Sequence, residues 1–111
     1  MITIDSLREY GANVDEGLAR CMGKEDFYLM LVTKAAEDEK LVTLEKQLAE
    51  KDLCGAFETA HALKGVAANL SLDPLTKPVS EMTELLRIRT DTDYTELLTK
   101  SKQAFERLRA L

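Results

Sequence analysis

The sequence predicts an all-α protein that packs as an antiparallel, up-and-down helical bundle. Three observations carry this expectation. The 111 residues hold only two prolines and five glycines and are rich in Ala, Leu, Glu and Lys, which favour helix. Apolar residues along the longer segments recur at helical spacing rather than alternating. The joints between segments are short, and short joints between long helices favour antiparallel neighbours. A chain of this length is expected to be one domain, residues 1–111, with a modest core.

The elements follow in order. Asp5 opens a short helix over Ser6 to Tyr10, and Gly11 to Asn13 break it. Asn13 with Glu16 three residues later forms a capping-box pattern, which starts a second short helix to about Cys21. Residues 25–50 read as one long helix, with apolar positions at Phe27, Met30, Leu31 and Ala35, then at Leu41, Leu44 and Leu48. Its stripe fades at Glu37 to Lys40, which marks an irregularity. Asp52 is a natural N-cap for a helix over residues 53–70. Asp73-Pro74 is an N-cap followed by proline at the first helical position, and Pro78 deletes one donor a turn later. A tight first turn is therefore expected there, with regular helix only after Pro78, to about Arg89. Asp93 with Glu96 caps a last helix to about Leu108.

Several functional classes are disfavoured. The formal net charge is −5 and no Lys/Arg block is long enough to follow a phosphate backbone, so nucleic acid is not the expected partner. Cys21 and Cys54 stand far apart with no CxxC spacing, against a disulfide framework or structural zinc. The start MITIDSLREY lacks a basic n-region and an apolar h-region, and no apolar run reaches membrane-spanning length. A reducing cytoplasm is the expected compartment. One histidine and no Glu-x-x-His pairing argue against a metal or haem bundle.

The single histidine, His61, sits in the residue 53–70 helix. On a wheel of 100° per residue, Ala56, Thr59, Ala60, Leu63, Val66, Ala67 and Leu70 gather opposite it as a core stripe. Within about 60° of His61 lie Cys54, Phe57, Glu58, Lys64, Gly65, Ala68 and, if the helix reaches it, Leu72. A solvated face normally carries Glu, Lys and Gln; a small, partly apolar one suits a surface that another protein covers. Glycine inside a helix costs about 0.5–1 kcal/mol relative to alanine, and Gly65 lies one turn after His61, where it clears space beside the ring. Lys64 can bring an ammonium to an anion on that ring.

This combination suits phosphoryl chemistry, because neutral imidazole is a good nucleophile near neutral pH. There is no Gly-rich phosphate loop and no cluster of magnesium ligands around the histidine, so the metal would have to come from a partner. The residues alone leave two readings open. His61 is either a reactive phosphoacceptor or an incidental member of a non-catalytic patch that binds a protein.

The stretch AHALKGVAANLS, Ala60 to Ser71, resembles the signature of histidine-containing phosphotransfer (Hpt) domains, in which AHxLKG precedes small residues and then a leucine. The resemblance extends over about residues 22–108, with a long acidic helix, a short joint with Asp, then the histidine helix. It implies a four-helix bundle over residues 25–108 behind an N-terminal helical segment, residues 1–22. It also implies a phosphocarrier of two-component signalling with no ATP site of its own, hence not an enzyme. By position, His61 would be phosphorylated, Lys64 would stabilise charge and Gly65 would give steric clearance. Phe57, Glu58, Ala68 and Leu72 would line the docking surface. The implied partners are response-regulator receiver domains and a hybrid sensor histidine kinase, with Mg2+ supplied by the receiver. Nothing in the sequence demands more than a monomer. The sequence departs from the family pattern at Ser71, where glycine is common, at Pro74 and Pro78, and at Thr83, where a glutamate is often found and here stands one place later as Glu84.

Overall fold

Local capping sets three of the helix starts. Thr3 accepts a hydrogen bond from the backbone N–H of Ser6, and the Ser6 hydroxyl accepts one from Thr3 N–H in return. Asn13 and Asp52 accept from the N–H groups of Glu16 and Gly55. In the computed structural model, which describes residues 1–111, these caps open three of seven helices, and there is no strand. The helices are α1 (Ile4–Tyr10), α2 (Val14–Arg20), α3 (Glu25–Ala36), α4 (Lys40–Ala49), α5 (Leu53–Asn69), α6 (Asp73–Arg87) and α7 (Thr95–Arg109).

The all-α expectation holds, but several details differ. α1 opens at Thr3 rather than Asp5, and α7 has Tyr94 rather than Asp93 as N-cap, although the Asp93 carboxylate accepts from Thr95 N–H at 2.9 Å. The segment expected as one long helix is two, parted at the irregularity expected at Glu37 to Lys40. Asp38 accepts from the N–H of Lys40 at 2.7 Å and also pairs with its ammonium, so a side chain displaces the helical bond. The carbonyls freed at the break are taken by the last arginine of α7. Arg109 donates to Ala36 O at 2.6 Å and to Asp38 O at 3.2 Å. The apolar stripe of α3 is also rotated. Tyr28, Val32, Ala35 and Ala36 are buried, while Phe27 and Met30 are exposed and Leu31 is half-buried. The Tyr28 hydroxyl explains how a tyrosine can occupy the core, because it donates to Leu70 O at 2.8 Å. Finally, α6 is continuous from Asp73, with Leu72 rather than Asp73 as N-cap, and does not wait for Pro78. Pro78 lies in the second turn, where only one internal bond is lost, and its ring is buried in the interior.

Four helices end on a left-handed residue that is not glycine: Met22 after α2, Lys51 after α4, Ser71 after α5 and Arg89 after α6, with φ of 58°, 60°, 55° and 55°. Each closes a paired C-terminal turn. After α5, Ser71 N–H donates to Ala68 O and Leu72 N–H to Ala67 O. This is the physical counterpart of the glycine that the resemblance places at Ser71.

Neighbours in sequence are neighbours in space. α5 packs between α4 and α6, α6 packs on α7, and α3 and α4 also touch α7. Ala56, Ala60 and Ala67 are fully buried on α5, so its neighbours approach it closely there. α1 is tied to α7, since Tyr10 Oη donates to Ala104 O and Arg107 donates to Tyr10 O. No helix is long and apolar enough to cross a membrane.

Candidate functional site

The site is one face of α5. Ala56, Ala60, Leu63, Ala67 and, just past the helix end, Leu70 are buried, while Thr59 and Val66 are half-buried at the edge of the stripe. Cys54, Glu58, His61 and Gly65 are exposed on the other side. The His61 ring stacks on Phe57 one turn earlier, with centroids 5.7 Å apart and planes 20° from parallel. A Cβ added to Gly65 would meet nothing within 4 Å. The space beside the imidazole is therefore open on its C-terminal side and bounded by an aromatic ring on the other.

Lys64 is partly exposed, with Nζ 3.6 Å from Glu84 Oε1 on α6. Glu84 also accepts from Arg87 Nε at 3.1 Å. The hydrogen bond and charge of Arg87, and secondarily Lys64, hold the exposed Glu84 carboxyl below its ordinary range. Glu84 stands one place beyond Thr83, which is buried and turns its hydroxyl back to Val79 O.

Ala68 is half-buried, and its carbonyl accepts from Arg20 Nη1 at 2.6 Å, with Ser71 Oγ 2.9 Å from the same nitrogen. A guanidinium from α2 thus serves the C-terminal end of α5, where a cation complements the helix dipole.

Leu72 must be removed from the expected docking surface, because it is fully buried. The helix stops at Asn69, so the wheel no longer applies at Leu72. Leu72 instead takes the position after the left-handed turn, where an apolar residue folds back onto the last helical turn. The other expected residues, Phe57, Glu58, His61, Lys64, Gly65 and Ala68, share the face. Sequence reasoning missed Arg87 and Arg89 altogether. Their guanidinium carbons lie 5.2 and 4.9 Å from the Phe57 ring centroid. The spacing of Glu84 and Arg87 reveals an i,i+3 pair but not which helix that pair faces.

The model of the Hpt domain family matches residues 29–111, which takes in most of α3 and all of α4 to α7. The chain belongs to the Hpt domain family. No match was found among curated proteins or among solved structures. Hpt domains are carriers in the phosphorelays of two-component signalling and interact there with receiver domains of response regulators. Within this Hpt domain, the single histidine lies on an exposed helix face inside the matched segment. No three His, Cys, Asp or Glu side chains converge into one cluster in the chain.

Proposed function

We propose that this Hpt domain carries a phosphoryl group on His61, taken from the phospho-aspartate of one receiver domain and passed to the aspartate of another. The observation that carries the reading is the exposed imidazole flanked by Lys64 and by the open space at Gly65. In the transfer, a ring nitrogen lone pair attacks phosphorus in line. The N–P bond forms as the acyl P–O bond breaks, and the aspartate leaves as its carboxylate. The imidazolium then releases its remaining N–H proton to solvent. Lys64, one turn along from the ring, offsets charge on the transferred group, and Gly65 leaves room for the incoming carboxylate. Mg2+ belongs to the receiver, and the docking surface includes Phe57, Glu58 and Ala68.

In this reading α3 and α4 together fill one corner of an antiparallel four-helix bundle, with α5, α6 and α7 as the others. The packing of α4 on α5, α5 on α6, α6 on α7 and α4 on α7 supports it. The protein acts as a single monomeric domain in the cytoplasm.

Incubation with phosphorylated receivers should place an acid-labile, base-stable phosphoryl group on the chain. His61→Gln should abolish it, and a His61→Gln protein that takes up phosphate with the same lability would refute the reading. Gly65→Gln should slow transfer by about tenfold or more through steric exclusion. If receivers bind but never transfer, the patch is a non-catalytic docking surface instead.

A further inference from the structure

Arg87 ends α6 and Arg89 follows its cap, with Ile88 between them 77% exposed. Both guanidinium groups lie over Phe57, whose ring stacks in turn on His61. The two cations differ in their partners. Arg87 is paired with Glu84. Arg89 has no carboxylate within the 4.0 Å of an ion pair, and its Nε donates to Cys54 Sγ at 3.3 Å. Its Nη1 donates to the carbonyls of Leu86 and Arg87 at 2.8 and 3.1 Å, while Nη2 has no partner. Of the nearest carboxylates, Glu84 is engaged by Arg87 and Lys64, and Asp91, two residues beyond Arg89, is paired with Lys51 at 2.8 Å. An unneutralised guanidinium beside an exposed isoleucine therefore stands one aromatic ring away from the histidine, in a protein whose formal net charge is −5.

We infer that Arg89, supported by Arg87 and Phe57, is a specificity-determining ledge for receiver domains whose surface beside the phospho-aspartate is acidic. The inference rests on the reading of His61 as the phosphoacceptor. Its physical basis is charge complementarity. An acidic partner is repelled by the chain as a whole, so a local cationic ledge orients its approach and raises the rate of productive encounter. The ring under Arg89 and the carbonyls that hold Nη1 already restrict the side chain, so docking orders little that is free. Ile88 supplies the apolar contact beside the charge.

The left-handed backbone at Arg89 (φ 55°) makes a clean test available, because glycine is the favoured residue there. Arg89→Gly removes the cation while relaxing the backbone, so its melting temperature should equal or exceed that of the parent. Arg89→Asn, which also tolerates this conformation, removes the cation a second way and must give the same rates. Receiver domains with acidic and with neutral docking faces are phosphorylated with acetyl phosphate, and initial transfer rates are read across a salt series. In parallel, phosphoramidate labels the histidine with no protein partner.

At low salt, transfer from acidic-faced receivers should fall about 5- to 10-fold in Arg89→Gly and roughly 10- to 100-fold in the double variant with Arg87→Ala. The difference should shrink towards about 0.5 M salt. In the two Arg89 single variants, neutral-faced receivers and phosphoramidate labelling should be unaffected. Equal rates in parent and variants, equal slowing of the Arg89 single variants for every receiver, or slowed phosphoramidate labelling of those single variants would each overturn the ledge. So would a dimer of the parent chain that Arg89→Gly dissociates, since the occupant would then be a second copy. Failure of phosphoramidate and of every receiver to label His61 in the parent would instead overturn the carrier reading, and the ledge with it.

Discussion

Gly65→Ala should stabilise this Hpt domain, whereas Gly17→Ala should destabilise it. Both glycines lie inside helices, Gly65 in α5 and Gly17 in α2, so both replacements gain about 0.5–1 kcal/mol of helix propensity. They differ in what the new methyl group meets. At Gly65 it meets nothing within 4 Å, so the full gain is kept. With an unfolding entropy of about 2.1 cal/mol/K per residue over 111 residues, roughly 0.23 kcal/mol/K, the melting temperature should rise by about 2–4 °C. At Gly17 the Cβ would lie 2.6 Å from Tyr28 Cε1 and 2.8 Å from its Cζ and Oη. Tyr28 is fully buried and its hydroxyl is committed to Leu70 O, so the ring cannot withdraw without giving up that bond. Overpacking of about 1–3 kcal/mol and a lost hydrogen bond of about 1 kcal/mol exceed the helical gain. A net loss of about 1–3.5 kcal/mol should lower the midpoint by about 4–15 °C. Thermal melts followed by circular dichroism, with calorimetry for the enthalpy, measure both. A Gly65→Ala midpoint at or below the parent's would mean that the space beside His61 is not open. A raised Gly17→Ala midpoint would mean that Tyr28 is not held where its hydrogen bond places it.

Two further outcomes concern titration. Burial pushes the hydroxyls of Tyr10 and Tyr28 up to about 12 from the ordinary value of about 10, so the folded state holds these protons more tightly than the unfolded chain does. Stability should therefore be complete below about pH 10 and decline as pH rises towards 12. Tyr28→Phe should flatten part of that decline, and urea midpoints that stay level to about pH 12 would refute it. Glu84 titrates below its ordinary range chiefly because of Arg87, so Arg87→Ala should move its midpoint upwards in a side-chain carboxyl NMR titration; an unmoved midpoint would show that the pair does not persist in solution.

The site was legible in the sequence to the extent that it lies on one helix. Asp52, the small-residue stripe and the 3.6-residue period place His61, Lys64 and Gly65 relative to one another with no knowledge of the rest of the chain, and the structure keeps that placement. Leu72 was misplaced because a wheel assumes that the helix continues, and nothing local says that Ser71 turns left-handed, since the residue favoured there is glycine. The face of α3 was misjudged by one residue. Phe27 and Met30 are more apolar than Tyr28, and only the distant carbonyl of Leu70 makes burial of the tyrosine favourable.

The sequence by itself determined that the chain is helical, where α2, α3 and α5 begin, and which face of α5 bears the imidazole. Caps and periodicity act over a few residues, so they can be read along the chain. The fading stripe and the Asp38–Lys40 contact mark the irregularity locally, but only the tertiary structure decided that it is a full break between α3 and α4, because the freed carbonyls depend on Arg109 some seventy residues away. It also decided that Arg87 and Arg89 lie over Phe57, because the register of α6 against α5 is set by interlocking side chains far apart in sequence, and no local pattern encodes that register.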